Sequence, residues 1–372
     1  MNIIGIIAEY NPFHNGHIYQ IQKVKELYPN SLIIVVLNGN FTQRGDISII
    51  NKWDKTKIIL EHNVDLVIEL PTFYGINNAD IFAKGAIKIL NDLKIDTLIF
   101  GTERDNIDDF IRITNIKNTN EYKNLLKEYL DNGYSFPKAS FSAIECLTNI
   151  KIDTPNDILA LSYIEEIINN NYNIKPVNIK RTNDYHDKNL KEIASATAIR
   201  EAIKENKDIK NFVPTKTINY INNITINDYF DLLKYKIIST NDLTIYHDVK
   251  EGIDSRIKKY IYESNNLEEL IEKIKTKRFT YNRIKRILLY ILLDIKKDIK
   301  INNYIRPLGF NNNGANYLKQ IKDELTLPLI SNYSNNRDLL EFEYKVNSIY
   351  SLKTNNINLN IKKEFNPIVY KK

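Results

Sequence analysis

Residues 2–17 read NIIGIIAEYNPFHNGH, an apolar run from Asn2 to Ala8 that passes directly into Glu9-Tyr10-Asn11-Pro12-Phe13-His14-Asn15-Gly16-His17. A short apolar run that is continuous rather than alternating marks a strand covered on both faces, the usual state of a parallel sheet packed between helices. Three similar runs follow at 32–37 (LIIVVL), 64–70 (VDLVIEL) and 97–101 (TLIFG), and a fifth strand reads at 174–181 (IKPVNIKR). Between them the spacing predicts amphipathic helices. Ile21, Val24 and Tyr28 fall at i, i+3 and i+7, and Phe82, Ala86, Ile89 and Leu93 recur every three or four residues. The small Gly85-Ala86 pair predicts close approach of its helix to the sheet. This βαβα order predicts an α/β domain with an open parallel sheet of Rossmann-like type over residues 1–210.

Past that point the pattern changes. Val213-Pro214 suits a linker, because a residue before proline is biased away from helix. Residues 226–300 and 314–352 carry helical periodicity, so a second, mainly α-helical domain is expected over 211–372. A chain of 372 residues is longer than one hydrophobic core usually grows, which fits two domains. Its 43% apolar and 26% charged residues are ordinary for a globular protein, and no apolar run reaches membrane-spanning length. The single cysteine, Cys146, forms no intramolecular disulfide and leaves no CxxC pair for zinc. With the absence of a basic leader before the first apolar run, this predicts a reducing, cytoplasmic location, with Cys146 buried as a small hydrophobe. A net charge of +6 is compatible with a nucleic acid partner without requiring one.

The turn after the first strand carries the chemistry. Open α/β sheets bind ligands beyond the carboxyl ends of their strands, and His14-Asn15-Gly16-His17 sits at such an end. Gly16 allows a phosphate chain to come close, the following helix offers oriented N–H groups, and the two imidazoles can donate to phosphoryl oxygens. Two histidines three apart also suit a surface pair or a fortuitous metal site. The strand-to-helix context favours phosphate.

Together with that turn, Gly39-Asn40-Phe41-Thr42-Gln43-Arg44-Gly45, Lys52-Trp53, Asp65-Leu66-Val67-Ile68-Glu69-Leu70-Pro71 and Phe100-Gly101-Thr102-Glu103 form ordered blocks. Further blocks are Pro155-Asn156-Asp157-Ile158-Leu159-Ala160, Lys180-Arg181, Tyr185-His186-Asp187, Ser195-Ala196-Thr197-Ala198-Ile199-Arg200 and Arg306-Pro307-Leu308-Gly309-Phe310. The set resembles the bacterial tRNA(Met) cytidine acetate ligases, within the HxGH nucleotidylyltransferase superfamily. The resemblance implies an ATP-dependent ligase that makes acetyl-adenylate and then N4-acetylcytidine at the wobble position of elongator tRNA(Met). Its implied substrates and partners are ATP, acetate and tRNA, with Mg²⁺ carried on the ATP. The ATP site it implies is the turn Ile7, Ala8, Glu9, Tyr10, Asn11, Pro12, Phe13, His14, Asn15, Gly16, His17, Ile18, Tyr19 and Gln20, with Gly101, Asn156 and Arg181.

Each distant member also has a plainer reading. Gly101 ends a strand, Arg181 could be solvated, and Asn156 could cap the helix that begins beside Pro155. Ser195 and Thr197 could donate to the β- and γ-phosphates and Arg200 could neutralise leaving pyrophosphate, while Ser195 alone would also serve as an ordinary cap. His14, His17 and Arg200 are the catalytic candidates. An arginine is expected close after Trp53, where this chain has Lys55, and a lysine is the weaker phosphate clamp. Asp46, Asp65, Glu69 and Glu103 lie near strand ends, yet no dedicated metal site is expected, because Mg²⁺ usually binds through substrate phosphates and water. The most basic stretch, Lys273 to Arg286, interleaves cations with Phe279 and Tyr281, and Lys277, Arg278, Arg283 and Arg286 are its candidates for gripping RNA. A small-molecule adenylyltransferase and a non-catalytic tRNA-binding protein are the rival readings.

Overall fold

The computed structural model describes residues 1–181, 194–276, 279–330, 332–354 and 361–371. Tyr185-His186-Asp187, Lys277 and Arg278 lie outside the described residues. The five expected strands are β1 (Ile3–Ala8), β2 (Leu32–Asn38), β3 (Leu66–Leu70), β4 (Thr97–Thr102) and β5 (Lys175–Lys180). They pair in parallel in the order β5-β4-β1-β2-β3. The continuous apolar runs have the expected cause. Ile34 and Val36 of β2 enter the core on one face of the sheet, and Ile33, Val35 and Leu37 enter the core on the other.

Strand order reverses at β1, which lies between β2, its successor in sequence, and β4. The carboxyl ends of β1 and β4 therefore flank the crevice where an open sheet binds ligands. Helices α1 (Asn15–Leu27), α3 (Ala79–Asp92), α4 (Pro155–Asn169), α5 (Ala196–Lys204) and α6 (Tyr281–Leu292) line this crevice, while α2 (Lys52–Glu61) and α7 (Arg337–Ser351) give it no lining residue. Gly85 in α3 does permit a close approach, but to a ring rather than to the sheet: an added Cβ would lie 2.2 Å from Tyr74 Cγ. Cys146 is exposed, contrary to the expected burial, because it falls on the outer face of its helix while Ala143 and Ile144 turn inward.

The C-terminal part is helical through α6, then returns to the sheet. β6 (Pro307–Phe310) pairs antiparallel with β3, and β7 (Ile368–Val369) pairs parallel with β6. A buried cluster of four charges fixes this return. Lys52 Nζ lies 2.5 Å from Glu69 Oε1 and 2.9 Å from Glu364 Oε2, and the Arg306 guanidinium lies 2.8 Å from Glu69 Oε2 and 3.1 Å from Glu364 Oε2. Trp53 Nε1–H donates to the other Glu364 oxygen at 2.8 Å. Two cations against two anions leave no net buried charge, the condition under which such a cluster is tolerated. Burial alone would raise the Glu69 carboxyl, but Arg306 and Lys52 hold it below the usual carboxylate range. The blocks Lys52-Trp53, Glu69 and Arg306 thus share one structural duty.

Replacing Arg306 with Met removes one cation and leaves two carboxylates facing Lys52 alone. Denaturant unfolding of Arg306→Met should give a stability lower by about 3–5 kcal/mol, the usual cost of breaking a buried pair. Wild-type stability would contradict this role for the cluster.

Candidate active site

The turn between β1 and α1 is held by its own histidines. His14 is the N-cap of α1, and its Nδ1 accepts from the Gly16 N–H at 3.0 Å. In return His17 Nδ1 accepts from the His14 N–H at 3.2 Å. This is the reciprocal logic of a capping box, with imidazole nitrogens in place of oxygens. Because a backbone N–H can only donate, both Nδ1 atoms are acceptors, and each ring carries its proton on Nε2. The rings stack with centroids 3.7 Å apart at 30°. Tyr10, at a left-handed φ of 47°, lays its ring 4.5 Å from that of His17 and edge-on to Phe13 at 5.0 Å. Burial pulls His14 down to about 3, helped by the positive charges of Arg181 and Arg200. Burial, His14 and Arg181 take His17 well below its ordinary value. The pair is therefore neutral near pH 7, with one Nε2–H donor left on each ring.

A cleft of about 1380 Å³ opens over this turn. Ile7, Ala8, Glu9, Tyr10, Asn11, His14, Gly16, His17, Tyr19 and Gln20 line it, together with Gly101, Asn156, Arg181, Ser195, Thr197 and Arg200. Pro12, Phe13, Asn15 and Ile18 are not on the wall. Phe13 is fully buried, and Asn15 ties α1 to the next segment, its N–H bonding Phe212 O at 3.0 Å and its Nδ2 bonding Asn211 O at 2.8 Å.

Arg200 reaches across from α5. Its Nη1 donates to Asn11 O at 2.6 Å and its Nη2 to Thr197 Oγ1 at 3.1 Å. Ser195 is the N-cap of α5, its Oγ accepting from the Ala198 N–H at 3.1 Å, so the plain cap reading describes that oxygen. For Asn156 the cap reading fails. Thr154 caps α4, and Asn156, two residues further in, donates its Nδ2 to Glu103 Oε1 at 2.6 Å. Arg181 Nε lies 3.6 Å from the same carboxylate oxygen.

The same lining includes parts of the Asn40–Asp46 segment and of the start of α6: Gln43, Arg44, Tyr281, Asn282, Lys285 and Arg286. Gly45 makes this meeting possible, since at its φ of 79° an added Cβ would stand 2.8 Å from the Lys285 backbone. Lys285 Nζ pairs with Asp46 at 2.5 Å, and Glu9 Oε1 accepts from the Gln43 N–H at 2.6 Å. The basic stretch is therefore not one helix face, for it spans the end of helix Leu267–Ile274, a connection and the start of α6. Arg283 is held inward by Asp248, with both contacts at 2.9 Å, and stacks over Phe279 at 4.5 Å. Arg286 faces the cleft.

One residue set aside on sequence grounds is central. Lys55 is buried, and its Nζ donates to Glu9 O at 2.8 Å, Asn38 O at 2.7 Å and Gly39 O at 2.8 Å. All three ammonium protons are spent on the carboxyl ends of β1 and β2. Lys55 thus fixes the strand ends beneath the turn instead of touching phosphate, a role that no local pattern reveals. Its burial lowers the ammonium to about 7. The four carboxylates near strand ends are each engaged: Asp46 with Lys285, Asp65 with Asn311 and the Ile33 N–H, Glu69 in the charge cluster, and Glu103 with Asn156 and Thr154. Among the described residues no group of three or more His, Cys, Asp or Glu side chains could hold a metal ion, and no helix is long and apolar enough to cross a membrane.

Comparison with known proteins gives one consistent picture. The HIGH Nucleotidyl Transferase family model matches residues 1–364. A tRNA(Met) cytidine acetate ligase from Clostridium acetobutylicum is 40% identical over 390 residues, covering 96% of this chain and 97% of that protein. The crystal structures of Thermotoga maritima TmcAL, one apo and one bound with alpha-thio ATP, superpose with TM-scores of 0.92 and 0.90 at 27% identity, each covering 100% of both chains.

The imidazole pair gives a direct test. In NMR spectra the His14 and His17 rings should stay neutral, with the proton on Nε2, from pH 8 down to pH 5. Titration of either ring near 6.5 would contradict the site geometry. Their depressed values also mean that the unfolded chain takes up protons first, so stability should fall as pH drops from 6.5 towards 3. Lys55→Met leaves three buried carbonyls without a donor, each costing about 1–3 kcal/mol. A markedly lower melting temperature is the expected outcome.

Proposed function

The chain belongs to the tRNA(Met) cytidine acetate ligase family of HIGH nucleotidyl transferases, and from that premise we propose that it acetylates a tRNA cytidine using acetate and ATP. The observation that carries the reading is the stacked, neutral His14–His17 pair at the start of α1, with two Nε2–H donors and with the charges of Arg181 and Arg200 acting on His14. In the first step an acetate oxygen attacks the α-phosphorus of ATP and pyrophosphate leaves. Such a transfer needs placement and charge stabilisation more than a protein nucleophile. The imidazoles donate to phosphoryl oxygens without adding charge, and Arg181 and Arg200 supply the positive charge. Arg200 is already braced on Asn11 O and Thr197, so it arrives pre-oriented.

In the second step the N4 amine of the cytidine attacks the acetyl carbon of acetyl-adenylate, AMP leaves with the bridging oxygen, and the amine loses a proton. The proposed acceptor is the wobble cytidine of elongator tRNA(Met). Mg²⁺ enters with ATP as its phosphate-bound counterion, consistent with carboxylates that are already engaged. The cytoplasm, where tRNA and ATP meet, is the proposed location. For tRNA we propose Arg286, which lines the cleft, with Lys277 and Arg278 of the same basic stretch. A cleft lined both by the Asn40–Asp46 segment and by the start of α6, in the C-terminal part of the chain, supports a macromolecular acceptor over a small metabolite.

Purified protein should release pyrophosphate from ATP only when acetate is present, and release of phosphate with ADP would overturn the adenylate. His14→Ala or His17→Ala should slow this step about 10²–10³-fold, the usual loss for one oxyanion donor. Arg286→Gln should leave acetyl-adenylate formation near normal while tRNA affinity falls and its salt dependence becomes shallower. An unchanged salt slope would remove Arg286 from the tRNA contact.

A further inference from the structure

We infer that Glu103, which is not itself on the cleft wall, is a positioning residue that sets nucleotide preference by fixing the side-chain amide of Asn156. The inference rests on the ATP site proposed above. Glu103 ends the segment that leaves β4, and its backbone is pinned to the first turn of α4. The Glu103 and Arg104 N–H groups donate to Asp157 Oδ1 at 3.1 and 3.2 Å. Its carboxylate is pinned too: Thr154 Oγ1 donates to Oε2 at 3.0 Å and Asn156 Nδ2 donates to Oε1 at 2.6 Å. Arg181 Nε lies 3.6 Å from the same Oε1.

An ionised carboxylate can only accept, so the amide group of Asn156 that faces Glu103 must be the NH₂. The orientation of an asparagine amide is often ambiguous, but here the partner's chemistry decides it. The carbonyl oxygen Oδ1 is then left for the cleft, which Asn156 lines. An acceptor held in that place selects a donor. The 6-amino group of adenine is one such donor and a ribose hydroxyl is the other, whereas a 6-oxo purine would oppose oxygen to oxygen. Glu103 thereby dictates the chemistry that Asn156 presents without touching the nucleotide.

Calorimetric titration of the full chain, without acetate or tRNA, tests this with ATP, inosine triphosphate, 2′-deoxy-ATP and 3′-deoxy-ATP. The wild type should bind at least one analogue about tenfold more weakly than ATP, the scale of one hydrogen bond, and the affected analogue tells amine from hydroxyl. In Glu103→Gln the introduced amide can donate to Asn156 and let it turn over, so that preference should shrink at least about threefold. Asn156→Ala, which lacks the oxygen, should lose the same preference and serves as the second variant if the first does not fold. Unchanged ratios in both variants, an equal weakening of ATP and every analogue, or no discrimination by the wild type would each overturn the inference. A wild type that binds ATP selectively but releases no acetate-dependent pyrophosphate would count against the proposed reaction and not against Glu103. One that binds no nucleotide would sink both.

Discussion

The first backbone N–H groups of a helix have no partner within it, and at α1 this ordinary deficit is met by the imidazoles of His14 and His17, the two groups to which the proposed reaction assigns its donors. Each imidazole gives its Nδ1 to the backbone, at 3.0 and 3.2 Å, and so has its Nε2–H committed as a donor. In the proposed reaction one arrangement would serve both capping and catalysis. Stacked rings 3.7 Å apart could not both take up protons cheaply, and their burial between Phe13, Tyr10 and two arginines keeps them neutral. A neutral donor suits a transferring phosphoryl group because it stabilises developing charge without binding the ground state as tightly as a cation would.

Everything beneath the turn serves to hold it still. Lys55 ties the carboxyl ends of β1 and β2 through three carbonyls, and Lys52, one turn earlier on α2, joins the buried cluster with Glu69, Arg306 and Glu364. The same helix thus braces the site with one lysine and anchors the C-terminal strands with another. Through Gly45, Lys285 and Asp46 the Asn40–Asp46 segment then holds the start of α6 at the cleft. These links set the start of α6 on the same cleft lining as the HxGH turn.

The strands and the HxGH turn were legible because their signals are local: runs of Ile, Val and Leu with both faces covered, and two histidines bracketing a glycine where a strand gives way to a helix. β6 was not legible. Pro307-Leu308-Gly309-Phe310 is too short to show a period, and only its pairing with β3, far away in sequence, makes it a strand. The same distance hid the purpose of Lys55, whose three acceptors lie 16 to 46 residues away. Arg283 looked like its neighbour Arg286 in sequence, and only the position of Asp248 separates an internal brace from a cation facing the cleft. The plainer cap reading of Asn156 falls because Thr154, two residues earlier, takes that role, which sequence spacing alone left open.

The central claim is that acetate is activated on the α-phosphate by donors fixed at the mouth of α1. Acetate labelled with ¹⁸O in both carboxyl oxygens tests it most directly, with mass spectrometry of the nucleotide, the phosphates and the tRNA nucleosides after one turnover. The account predicts one ¹⁸O in AMP, one in the acetyl group of N4-acetylcytidine and none in pyrophosphate. Label in inorganic phosphate, with ADP as the nucleotide product, would mean attack at the γ-phosphorus and would contradict it.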